Sequence, residues 1–257
     1  MSPTASLPPV PQPVTARTLP AVPASLAGLV SAAAGPRGAP LCPVGPMTLA
    51  RGRVHEVTGS ARRTLAAMTA QAAQAEGGVV FWFHPGWRNE ELCPQGLARF
   101  IDDVSALIVV RCTRPVDVLW GMEEVLRSGA ATLAVGTLAE APDLRQLRRL
   151  TLAAGTGLAR ARLVDPRAPG PLGVVMHHET AESRIVGVES RWALDPLTTP
   201  GRRSRAARGE AWRLERRLMP GCAPQAWDLW QSAPGNPPEC AAASTTAPLS
   251  GDAGQDG

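Results

Sequence analysis

Val54-His55-Glu56-Val57-Thr58-Gly59-Ser60-Ala61-Arg62-Arg63-Thr64-Leu65 reads as a strand that ends in a glycine turn and feeds a helix. The first five residues are β-like. Leu65, Met68 and Ala72 then recur at spacings of three and four, and Gly77-Gly78 stops the helix. In α/β proteins such a strand–turn–helix is where main-chain N–H groups meet phosphate.

The pattern repeats downstream. Val79 to Phe83, Ala106 to Val110, Thr132 to Val135 and Gly173 to Met176 are short continuous apolar runs, each read as a buried strand. Pro115 to Ser128 is a helix with Gly129 as its stop and Val118, Leu119, Met122, Val125 and Leu126 as its apolar stripe. Trp120 and Trp82 are read as core. Leu144 to Ala154 is a second amphipathic helix, with Arg145, Arg148 and Arg149 on its wet side. Ile185 to Leu194 and Ala211 to Leu218 alternate, as antiparallel strands at a sheet edge do. The expected fold class is α/β: a mostly parallel sheet flanked by helices, with C-terminal antiparallel edge strands.

The ends differ from the middle. Residues 1–48 are rich in Pro and Ala and read as a disordered tail; 49–231 form the domain; 232–257 read as a disordered acidic tail. No apolar run reaches the roughly 18–20 residues of a membrane span. The five cysteines are odd in number and lack any C-x-x-C pair, which points to reduced thiols and a cytoplasmic protein. All 26 cationic residues are arginine. The absence of lysine removes a P-loop lysine, a Schiff-base lysine and a lysine base at one stroke.

The first turn falls short of a nucleotide loop. G-x-x-x-x-G-K-[ST] supplies a sharp turn, close backbone approach, a cation for the β/γ-phosphates and a hydroxyl for Mg²⁺. Here Gly59 and Thr64 occupy vestigial positions, the segment between them is too short, and the second glycine and the lysine are missing. The strand Thr132 to Val135 ends in Gly136-Thr137 with no carboxylate. No cofactor and no catalytic residue are expected. His84 ends its strand at an expected cleft and reads as a relic or a polar cap. His177-His178-Glu179 lacks a third ligand at metal spacing, so no metal site is expected.

These residues and several others resemble the ImuA family. The resemblance is carried by Gly52 to Gly59, Gly78 to Trp82, Leu92 to Leu97, Leu147 to Leu150 with Leu152 to Ala154, Glu189 to Trp192, and Trp212 to Glu215. Its most specific part is Val116-Asp117-Val118-Leu119-Trp120-Gly121-Met122-Glu123-Glu124-Val125-Leu126-Arg127-Ser128-Gly129. It spans about residues 51–230. The resemblance implies a RecA-type core and a role beside three partners in damage-induced mutagenesis: RecA, an ImuB-like Y-family protein and an error-prone replicative-type DNA polymerase. Gly59 corresponds to the opening glycine of the RecA nucleotide loop, and the other loop residues do not match. The expected function is therefore a non-catalytic adaptor of translesion synthesis in the SOS response. The alternatives are a SulA-like inhibitor of cell division and a RecA-type DNA-dependent ATPase. The segment Leu158 to Pro171 looks like a local addition.

The candidate contact residues are arginines and tryptophans. Arg202, Arg203, Arg205 and Arg208 form a basic loop that suits DNA phosphate, an acidic partner or plain solvent. Arg213, Arg216 and Arg217 add to that charge. Trp227 and Trp230 either cap the last strand or offer a docking patch. Direct DNA contact and self-association stay open.

Overall fold

The computed structural model describes residues 39–87, 91–177, 187–197 and 210–243. The quoted strand–turn–helix is present: β1 is Val54–Thr58 and α1 is Arg62–Ala75. β2 (Val80–Pro85), the single turn α2 (Pro94–Leu97) and β3 (Leu107–Cys112) follow. Next come α3 (Pro115–Ser128), β4 (Leu133–Thr137), α4 (Leu144–Val164) and β5 (Leu172–Met176). The chain closes with β6 (Ser190–Pro196), β7 (Glu210–Leu218), β8 (Gln225–Gln231) and β9 (Glu239–Ala242).

One nine-stranded sheet results, in the order β3-β2-β4-β5-β1-β6-β7-β8-β9. β3 to β6 pair in parallel and β6 to β9 pair antiparallel. This is the expected architecture. Alternation along each strand sends side chains to two cores. Leu133, Val135 and Val174 meet α1 residues Leu65, Ala66, Met68 and Ala70 on one face. Ala134 and Val175 meet Met122 and Leu126 of α3, and Leu147 and Ala154 of α4, on the other.

Four expectations need correction. β3 is the outer strand, so Ile108 and Val109 are exposed rather than buried. β6 is not an edge strand: it lies parallel to β1 and antiparallel to β7, and its centre is buried on both faces. α4 runs to Val164, past Ala154, and takes in the start of the presumed local addition. Its continuation through Gly155 and Gly157 is decided by packing. A Cβ on Gly157 would overlap the Leu126 carbonyl, so the two helices touch through glycine. Finally, Trp120 is exposed, not core. At 100° per residue it lies about 160° around α3 from Met122, whereas Val118 and Leu126 lie about 40° to either side.

The folded body is also larger at both ends than residues 49–231. Leu41, Val44, Met47 and Leu49 are buried in the α1-side core. Cys240 of β9 packs over Gly45, and β9 pairs with β8. Short apolar residues between prolines were enough to pin 39–48, and the pairing of Glu239–Ala242 satisfies backbone groups that composition alone leaves open. The remaining parts of both presumed tails lie outside the described residues. Among the described residues no helix is long and apolar enough to cross a membrane.

Candidate functional site

The turn after β1 is the position where this architecture would hold a phosphate, and the donors of Ser60 and Ala61 there are already used. Gly59 has φ +89°, and a Cβ there would overlap the Leu194 carbonyl of β6. The Ser60 N–H and hydroxyl both donate to Asp195 Oδ1, each at 2.7 Å. The Ala61 N–H donates to Leu194 O at 2.9 Å. Arg62, the first helical residue, turns its Nη1 back to Gly59 O at 3.2 Å. β6 therefore lies against the turn, and a carboxylate from its end sits on the donors that would face an anion. Burial works to raise the Asp195 pKa, but the Ser60 N–H, the Ser60 hydroxyl and the charge of Arg217 outweigh it and hold the carboxyl below its ordinary value.

Thr64 faces elsewhere. With Arg63, Cys93, Arg99 and Phe100 it lines a cavity of about 270 Å³ beside α2. At the end of β4 the Thr137 hydroxyl receives the Trp82 indole N–H at 3.4 Å. His84 is buried and does not line this cavity.

Two buried polar clusters flank the turn. On the α1 side His55 Nε2 donates to Ala50 O at 3.0 Å. Its Nδ1 must then accept from the Ser190 hydroxyl at 2.7 Å, and Ser190 Oγ in turn accepts the Trp192 indole N–H at 3.0 Å. The Ala50 carbonyl selects this tautomer; burial, with a smaller push from Arg53, outweighs that hydrogen bond and lowers the His55 pKa to about 4. On the opposite face Glu56 accepts from His177 Nε2 at 2.7 Å and from Arg191 Nε at 2.6 Å. Arg191 compensates a carboxylate that is otherwise fully enclosed. His178 and Glu179 lie outside the described residues. Among the described residues no group of three His, Cys, Asp or Glu side chains could hold a metal ion.

Among the described residues the basic candidates do not converge. Arg202, Arg203, Arg205 and Arg208 lie outside the described residues. Arg213 and Arg217 share one face of β7 and Arg216 lies on the other. Arg213 bonds Asp228 at 3.0 Å, and Arg217 bonds Glu215 at 3.0 Å. Arg216 bonds the Ala223 carbonyl and stands 5.3 Å from the centre of the Trp227 ring, so these two contact candidates meet each other. Trp227 is buried against Trp192, so its ring is core rather than open surface. Trp230 is half-buried and donates to Glu239 across β8 and β9.

Asp195 escaped the sequence reading because it lies 135 residues from Ser60. Nothing local marks it. Glu56 was hidden for a similar reason: a carboxylate inside a buried strand signals a partner, but His177 and Arg191 are distant in sequence.

No family model matches the chain, and no curated protein matches it. Among solved structures the chain is similar to the crystal structure of the RadB recombinase, at 16% identity and a TM-score of 0.44, over 69% of this chain and 87% of that one. A likeness at that score carries no argument about what this chain binds or does.

Proposed function

We propose that this chain is a non-catalytic, RecA-like adaptor of damage-induced mutagenesis, of the ImuA type. It joins RecA to an ImuB-like Y-family protein and an error-prone replicative-type polymerase during translesion synthesis. The partners follow from the sequence resemblance. The observation that carries the non-catalytic half is Asp195 seated on the Ser60 N–H and hydroxyl.

A triphosphate entering this turn would have to displace a carboxylate that is part of the chain and held by charge-assisted hydrogen bonds. It would find no lysine, and no carboxylate at the end of β4. An ATPase needs all three elements, whereas an adaptor needs only a rigid body and exposed contact faces.

The test is a pull-down of the purified chain with each of the three partners. Retention of RecA and of at least one polymerase-cassette protein is the expected result. Replacing Arg202, Arg203, Arg205 and Arg208 by Ala separates a role of that loop from the rest. Retention of none of the three, together with filamentous cells on overexpression, would favour the SulA-like alternative.

A further inference from the structure

Between the first turns of α3 and α4 lies an open groove of about 450 Å³. Its walls are Arg114, Val116, Leu119, Trp120, Gln146 and Arg149, with Asp117, Glu123 and Leu150 beneath them. We propose that this groove docks a short acidic peptide segment of a partner protein, with a bulky apolar side chain as its anchor and carboxylates beside it.

The apolar part of the argument rests on α3. Trp120 is 62% exposed and Val116, one turn earlier, is 58% exposed. They lie on one side of the helix, opposite the stripe that enters the core. An indole left in water loses the burial that every other described tryptophan but one finds at least in part; the exception is Trp87, at 38%. Trp and Arg are the residues most enriched at the energetic centres of protein interfaces. The groove has the volume of a side-chain or ligand pocket, but it is open along one side, which suits a chain segment better than an enclosed small molecule.

The charge part rests on α4. Both acids in the groove already have partners. Asp117 takes Arg114 Nε and Nη2, at 3.1 and 2.7 Å. Glu123 takes Arg149 Nη2 at 2.6 Å and Arg127 as well. Arg145 lies one turn before Arg149 on the same face of α4, with Arg148 beside it. Neither has an acidic partner among the described residues. The Gln146 side chain uses its oxygen to receive the Asp143 N–H, which leaves its NH₂ group as a donor. The rim therefore presents positive charge and spare donors, while its own carboxylates are neutralised. Carboxylates on the incoming segment complement that rim. Leu152, also exposed, extends the apolar surface one turn beyond Arg149.

The inference stands apart from the identity of the three partners above, and its test does not use them. A phage-displayed library of random dodecapeptides is panned on the immobilised full chain, with Trp120→Ala as the counter-selection. Enriched peptides are synthesised with fluorescein and titrated by anisotropy. The expected sequences carry Asp or Glu within three or four residues of Leu, Phe, Ile or Trp. Their affinity falls at least tenfold in Trp120→Ala and in Arg149→Gln, and falls again as salt is raised. Thermal unfolding of both variants is compared with the parent; because Trp120 is exposed, its variant unfolds at the parent temperature. No enrichment, enriched peptides without acidic residues, or binding indifferent to Trp120 would overturn the proposal. So would a labelled single-stranded oligonucleotide that binds with Trp120 and Arg149 dependence where no peptide does.

Discussion

Asp195 contributes to stability as well as to closing the turn. Two hydrogen bonds from Ser60 to a half-exposed carboxylate are worth about 1–2 kcal/mol after allowance for solvent. Asp195→Ala is expected to lower the urea-unfolding free energy by that amount at neutral pH. Because the folded pKa lies below the ordinary value, the difference is fully present above the carboxylate range and fades as pH falls through the folded value. A difference that persists unchanged into strong acid would show that the carboxylate charge is not the cause. His55 gives a second pH signal of known sign. Its folded pKa is about 4 against 6.5 for the free side chain. Between those values the unfolded chain binds a proton that the folded chain refuses, so stability falls as the solution is acidified from pH 6.5 toward 4. The loss expected from this one residue at pH 5 is about 2 kcal/mol. The drop between pH 7 and 5 in His55→Gln, measured by urea unfolding, is expected to be smaller than in the parent by that amount. Two tryptophans provide the third test. Trp82→Ala empties a buried site and costs about 3–5 kcal/mol, whereas Trp120→Ala costs almost nothing.

Among the elements, β9 is the one whose importance composition concealed. It covers β8, and its Cys240 packs over Gly45, so it also holds the segment that carries Leu41, Val44 and Met47. A chain ending at Gln231 is expected to show a lower Tm and faster proteolysis near residue 45 than the full chain. Equal protection of that segment would contradict the coupling. The elements that could be read from the sequence are those whose own residues decide them. β2, β4 and β5 are built on continuous apolar runs, β1 is a short β-like run closed by a glycine turn, and α1 and α3 have clear stripes and stops. The misread elements depend on neighbours. Ile108 and Val109 look buried until β3 proves to be the edge. β6 looks half-exposed until β1 and β7 enclose it. α4 seems to end at its glycines until Leu126 needs the space at Gly157. The candidate site divides in the same way. The missing lysine and missing glycine were visible at once, while Asp195 required the fold. Trp120 was legible and was misread: the wheel that defines the α3 core stripe already places it outside.

For the whole molecule, the sheet order explains how the glycine turn after β1 comes to be covered. β6 runs parallel beside β1, so its carboxyl end arrives at the same rim as the glycine turn. Leu194 and Asp195 then take the Ala61 and Ser60 N–H groups of that turn. The described residues pack through two cores, with Trp120 of α3 and Arg145 and Arg148 of α4 exposed. Calorimetric titration of the full chain with ATP and Mg²⁺ tests the account most directly. It predicts no saturable heat and no change in Tm at millimolar nucleotide. Saturable binding at micromolar concentration would contradict it.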